Sequence, residues 1–208
     1  MSSTNRGAER RLDDAYMTPG WCVRRLLDVW PPPAGLLAEP CVGEGRIVKE
    51  IHGQWWTMDV RELPEMNHVG DFLAIMPGTF QQLEEAAAVV TNPPYSLAEE
   101  FIRSARILCP HAELVFLLRI AFLASVSRLK LWQDIGTPDV YVLPNRPSFT
   151  GHGTDSADYA WFRWPVEKRE AGCLRILKET SKEERAGRRT EAADVAAEAT
   201  RKEVPCSS

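Results

Sequence analysis

Short runs of aliphatic and β-branched residues alternate along this chain with longer stretches in which apolar residues recur every three to four positions. Runs of the first kind predict strands buried on both faces, and stretches of the second predict the helices that cover them. Seven strands are expected, over Gly35–Ala38, Trp55–Asp59, His68–Leu73, Ala86–Thr91, Glu113–Arg119, Val140–Leu143 and Tyr159–Trp164. The first helix is expected after Thr18-Pro19, carrying Val23, Leu26, Leu27 and Trp30 on one face and ending at Pro31-Pro32-Pro33. Others are expected from Arg46 towards His52, over Phe80–Glu85, along the Leu97, Phe101, Ala105, Leu108 stripe, and over Phe122–Gln133. Strands and helices in this alternation predict an α/β fold with a doubly wound, mostly parallel sheet.

Composition narrows the picture. A chain of 208 residues suits one α/β domain with a sizeable core. The domain is expected over residues 12–177, between a polar tail at 1–11 bearing Arg6, Arg10 and Arg11, and a charged, helix-prone to disordered tail at 178–208. The net charge of −4 gives no global basic footprint, so contact with nucleic acid would need a local patch. Cys22, Cys41, Cys109, Cys173 and Cys206 are odd in number and contain no CxxC pair, which argues against a disulfide framework and a zinc site. His52, His68, His111 and His152 have no ligand spacing, so no metal is expected. No run approaches a membrane span and the N-terminus lacks the apolar core of a signal peptide, so the expected compartment is the cytoplasm.

The chemistry gathers at strand ends. The run Ala86-Ala87-Ala88-Val89-Val90-Thr91 stops at Asn92-Pro93-Pro94-Tyr95-Ser96, where two prolines cannot extend a sheet ladder. Asn92 and Pro93 would there present an amide oxygen and a main-chain carbonyl, two acceptors suited to an exocyclic amine, with the Tyr95 ring beside them. Glu39-Pro40-Cys41-Val42-Gly43-Glu44-Gly45 after the first strand reads as a glycine turn into a helix. It lacks the third glycine of the dinucleotide fingerprint, because Val48 stands there, so it need not cradle a pyrophosphate. Asp59 ends the second strand and can accept ribose hydroxyls, or else cap a helix. Asp71 with Phe72 can meet an adenine ring, or Asp71 can be an ordinary N-cap. Arg119 ends a further strand on the edge that carries Asn92, as a phosphate or base contact or as half of an ion pair. The polar loop between the last two strands carries Arg146-Pro147-Ser148-Phe149, whose aromatic is either functional or a packing plug.

The ordered series Tyr16-x-Thr18-Pro19, Glu39-Pro40-x-x-Gly43-x-Gly45, Asp59, Asp71-Phe72, Asn92-Pro93-Pro94-Tyr95 and Arg146-Pro147-Ser148-Phe149 resembles the amino-methyltransferases that use S-adenosylmethionine, over roughly Leu12–Trp164. Its order is most similar to that of small phage and prophage N6-adenine DNA methyltransferases. The resemblance implies a Rossmann-like class I methyltransferase fold, seven-stranded with an antiparallel last strand, S-adenosylmethionine as cofactor and DNA as partner. It implies that Tyr16, Thr18 and Pro19 meet the methionine end of the cofactor, that Glu39, Pro40, Gly43 and Gly45 form its turn, that Asp59 takes its ribose, and that Asp71 and Phe72 hold its adenine. Asn92, Pro93, Pro94 and Tyr95 would be catalytic, Asn92 also touching the cofactor, while Tyr95, Arg119, Arg146, Ser148 and Phe149 would meet the substrate base or strand. The same motif also occurs in enzymes acting on cytosine N4, an RNA base or a protein glutamine, and a non-catalytic DNA-binding accessory of the same fold is the remaining alternative.

Overall fold

The computed structural model describes residues 17–149 and 155–186. Eight strands form one sheet: β1 (Leu36–Glu39), β2 (Gln54–Asp59), β3 (His68–Val69), β4 (Ala88–Thr91), β5 (Glu113–Arg119), β6 (Asp139–Val142), β7 (Tyr159–Trp164) and β8 (Leu174–Ile176). Their order across the sheet is β3-β2-β1-β4-β5-β7-β6-β8. The first five strands are mutually parallel, β7 runs antiparallel between β5 and β6, and β8 pairs parallel to β6. β1 leads leftwards to β2 while its other neighbour is β4, so a switch point lies at their carboxyl ends, where open α/β sheets form a crevice.

Strand alternation divides the core between the two faces. Ala88 and Val90 of β4, with Val115 and Leu117 of β5, pack on one side against Trp21, Val23 and Leu26 of α1 (Gly20–Leu27) and Ile47 of α2 (Arg46–Glu50). Val89, Leu114, Phe116 and Leu118 face the other way, onto Leu83 of α3 (Gln81–Glu84), Phe101, Ile102 and Ala105 of α4 (Ala98–Leu108) and Leu131 of α5 (Leu129–Ile135). Each central strand is thus buried on both sides, as its continuous apolar run requires.

Four features depart from the sequence-based expectation. The helix expected over Phe122–Gln133 is two 3-10 turns, Ile120–Leu123 and Val126–Arg128, followed by α5. Ser125 breaks it: its backbone lies at φ 118°, ψ 132°, and its hydroxyl accepts from Ser127 N, so the side chain replaces the helical bond. β8 is an eighth strand beyond the seven expected; Leu174 and Ile176 stay exposed, so burial left no pattern to read, and main-chain bonds to β6 hold it. The strand expected over His68–Leu73 is only His68–Val69, because Asp71 caps a 3-10 turn over Phe72–Ala74. The start of the C-terminal segment, expected as an exposed helix, has no buried residue in its helix but is tied to α1. Polar contacts do this: in α6 (Lys182–Arg185) a Ser181–Glu184 capping box closes the first turn, and Glu184 takes bonds from Arg24 and Arg25 of α1. No helix among the described residues is long and apolar enough to cross a membrane.

Candidate active site

The carboxyl ends of β1, β2 and β4 surround a cavity of about 480 Å³. Each end supplies one polar side chain because each strand stops there: β1 at Glu39, β2 at Asp59, and β4 just before Asn92. Met17 and Thr18, preceding α1, close the side next to Asn92, while Phe72 and Phe101 form an apolar wall, their rings stacked at 5.6 Å. Asn92 is only 8% exposed yet lies on the cavity wall. Its Nδ2 donates to Thr18 Oγ1 at 3.1 Å, which sets the orientation of the amide and ties the chain before α1 to the end of β4.

Electrostatics distinguish the two strand-end carboxyls. Glu39 is 2% exposed and its Oε2 is buried with no hydrogen-bond partner. Burial, and then the charge of Asp59, push its carboxyl well above the ordinary range. Burial acts upward on Asp59 also, but bonds from the Arg61 side chain, Arg61 N and Gly43 N hold it below the usual range. Asp59 Oδ2 accepts from Gly43 N at 3.0 Å, and Oδ1 from Arg61 N at 3.0 Å and Arg61 Nε at 3.1 Å. One carboxylate therefore pins the turn after β1 and a guanidinium over the cavity. Cys41, under the same burial and beside Glu39 and Asp59, keeps its thiol protonated.

The two glycines of the turn differ. Gly43 lines the cavity at φ 50°, and a Cβ there would meet nothing within 4 Å, so the turn leaves open room beside the backbone. Gly45 stands at φ 68° as the residue before α2 and is not on the cavity wall; a Cβ there would lie 2.8 Å from Glu65 Cβ. Its absence of side chain serves the turn, not the approach of a ligand.

A second cavity of about 640 Å³ adjoins, lined by Tyr95, Ser96, Arg119, Phe122, Ser125, Arg128 and their neighbours. Pro94 lines the first cavity, Tyr95 the second and Ser96 both, so the segment from Asn92 to Ser96 runs along their seam. Arg119 places its guanidinium 4.9 Å from the Tyr95 ring centroid, donates to Tyr159 Oη at 3.1 Å and lies 3.8 Å from Asp155. Burial and then Tyr159 push the Tyr95 phenol upward, so it remains protonated.

The other expected residues fall elsewhere. Pro40 and Asp71 line the first cavity, Asp71 also capping the 3-10 turn Phe72–Ala74 through Leu73 N. Pro19 precedes α1, and Pro93 is buried behind the seam. Phe149 is 3% exposed and meets Tyr95 and Tyr159 edge-on, since burying the ring against them stabilises more than leaving it in water. Ser148 is partly buried beside it, and Arg146 pairs with Asp158 at 2.7 Å on the surface. Tyr16 lies outside the described residues. Sequence reasoning missed Arg61, Leu63 and Phe101 as cavity residues. Arg61, two positions beyond Asp59, was the only one whose spacing offered a signal.

No family model matches the sequence. No curated protein matches it either. Solved structures do: a Listeria monocytogenes protein assigned to the class I S-adenosylmethionine-dependent methyltransferases matches with TM-score 0.52 and 14% identity, covering 83% of this chain and 69% of its own. The fold is that of the class I methyltransferases. The M protein of the type I restriction enzyme EcoKI shares this methyltransferase fold at TM-score 0.54 and 13% identity, over 80% of this chain and 49% of its own. A Vibrio vulnificus protein assigned as a type I modification subunit does so at TM-score 0.55 and 12% identity, over 80% and 48%. The chain thus spans about half the length of these two modification proteins.

Proposed function

We propose that this chain transfers a methyl group from S-adenosylmethionine to the exocyclic N6 amine of adenine in DNA. The observation that carries the reading is the course of Asn92-Pro93-Pro94-Tyr95-Ser96 along the seam of two cavities, with the Asn92 amide anchored on Thr18. The donor side suits this cofactor. The buried, unpartnered oxygen of Glu39 answers an ammonium, the space beside Gly43 admits a ligand against the backbone, and Phe72 and Phe101 offer a wall to a purine. Asp59 would take the ribose hydroxyls in exchange for its bonds to the Arg61 guanidinium. When bound, S-adenosylmethionine supplies a methyl group activated by its sulfonium.

The protein's part is alignment. The Asn92 amide oxygen and Pro93 carbonyl would accept the two N–H groups of the amine and favour a more nucleophilic nitrogen. Their effect grows as positive charge appears there in the transition state. Tyr95, held protonated, serves as a stacking surface and not as a base. An adenine inside a duplex is out of reach, so the base must leave the stack at a cost of a few kcal/mol, which stacking on Tyr95, worth roughly 1–3 kcal/mol, offsets in part. The Tyr16-x-Thr18-Pro19 and Arg146–Phe149 segments favour DNA over the other acceptors, and two proteins sharing the fold are modification proteins of restriction enzymes.

The test is mass spectrometry of nucleosides from DNA of a methylation-deficient host expressing the chain. N6-methyladenine is expected with the native protein and lost with Asn92→Ala. In vitro, Asn92→Ala should lower turnover about 10²–10³-fold with cofactor affinity nearly unchanged by calorimetry. Native protein that leaves DNA adenine unmodified, or equal loss of affinity and turnover in the variant, would sink the assignment.

A further inference from the structure

The segment after β5 carries an unusual surface. Large apolar side chains stand in water at three-residue intervals, Leu123 at 37%, Val126 at 90% and Leu129 at 55% exposure. Among them lie Ser125, a non-glycine residue at φ 118° whose hydroxyl is 2.7 Å from that of Ser127, and Arg128. Such strain persists in a fold when the surroundings hold it, and it clusters at functional sites. Arg128 rests 4.4 Å over the Phe122 ring and spends one N–H on Ala124 O at 2.7 Å; a guanidinium has five. With Arg119 it makes the second cavity cationic, and among the described residues no carboxylate belongs to that lining. Asp155 lies 3.8 Å from Arg119, and Asp158 next to the segment is paired with Arg146.

A cationic cavity beside an exposed apolar side chain matches the two demands of a strand from which one base has been withdrawn: a charge to hold the phosphate and a wedge to occupy the gap. We infer that the 119–129 segment is the acceptor-strand grip, in which Arg128 takes a backbone phosphate next to the target and Val126 enters the base stack when the target swings into the cavity beside Tyr95. The inference rests on the nucleic-acid reading above and adds to it the surface and the residues that open the duplex. A protein partner would instead want the apolar side chains without the cationic cavity, and the test separates the two.

The probe is a short fluorescent DNA duplex containing the adenine that the native protein methylates. For Arg128→Gln, the slope of log affinity against log salt should fall by about one, with cofactor affinity unchanged. Val126→Ser should keep the native salt slope but methylate the duplex about tenfold more slowly, and it should regain the native rate when the target adenine faces a mismatch, where extrusion costs little. Native slope in the first variant together with native duplex rate in the second would overturn the inference while leaving the methylation reading intact. So would a Val126→Ser defect that the mismatch does not relieve, or one that appears as altered self-association in sedimentation. A native protein that methylates no adenine fails earlier, at the assignment itself.

Discussion

Glu39 ends β1 with its carboxyl withdrawn from water and beside a second carboxylate. In the unfolded chain it ionises in the ordinary carboxylate range; in the fold burial, and then Asp59, hold it well above that range. Its contribution to stability is therefore complete below the ordinary range and is lost as pH rises towards its folded value. Glu39→Gln removes that loss, so by fluorimetry the ligand-free variant should melt above the native protein at about pH 8, with a flatter profile. Its affinity for S-adenosylmethionine should meanwhile fall at least about tenfold, since it can no longer meet an ammonium with a charge. Parallel profiles with unchanged affinity would show that Glu39 does not face the ligand. At this scale the sequence was informative where a strand-ending polar residue was its own signal, as at Glu39, Asp59 and Asn92. It was silent on the Thr18–Asn92 bond, which joins residues 74 positions apart. Phe149 was ambiguous because the choice between a stacking ring and a packing plug depends on depth, which spacing does not record.

The turn between β1 and α2 shows how one element divides its labour. Both glycines have positive φ, yet only Gly43 faces the cavity, and only Gly45 is crowded, by Glu65. Gly45→Ala should lower stability by roughly 1–3 kcal/mol, read by denaturant titration, with affinity little changed in the fraction that folds. Gly43→Ala meets no protein atom, so its stability cost should be about 1 kcal/mol of backbone strain alone, and its main effect should be weaker cofactor binding. Equal effects of the two variants would contradict this division. The sequence showed the turn and its glycines but not which of them faces the cavity, because that depends on where Glu65 returns to the turn. The 3-10 turns after β5 escaped notice for a related reason: apolar spacing of three to four fits either kind of helix, and the break at Ser125 is made by a side-chain bond.

Across the whole molecule, the site sits at one end of the sheet and an ion cluster at the other. Arg163 of β7 donates to Glu113 at the start of β5 and to Asp139 at the start of β6, and Asp139 also holds Arg169 and Cys173 N. These contacts fasten the antiparallel strand between its neighbours. Burial acts upward on both carboxyls, but the bonds outweigh it: those from Arg163 and Trp30 hold Glu113 below the ordinary range, and those from Cys173 and Arg169 hold Asp139 there. Their stabilisation is therefore present above the ordinary carboxylate range and is lost as pH falls through their lowered values. Arg163→Ala should cost about 3 kcal/mol and move acid unfolding to higher pH, followed by circular dichroism. An unchanged acid limb would mean that the cluster contributes nothing net. The sequence by itself determined the central strands, their buried faces and the residues at their carboxyl ends, because periodicity and breakers act over a few neighbouring positions. Only the tertiary structure decided that those ends meet around one cavity, that Thr18 holds Asn92, that β8 extends the sheet and that Arg163 fastens its far end. Each of these joins chain segments through space, by main-chain pairing, side-chain bonds or charge, and such contacts leave no local pattern to read.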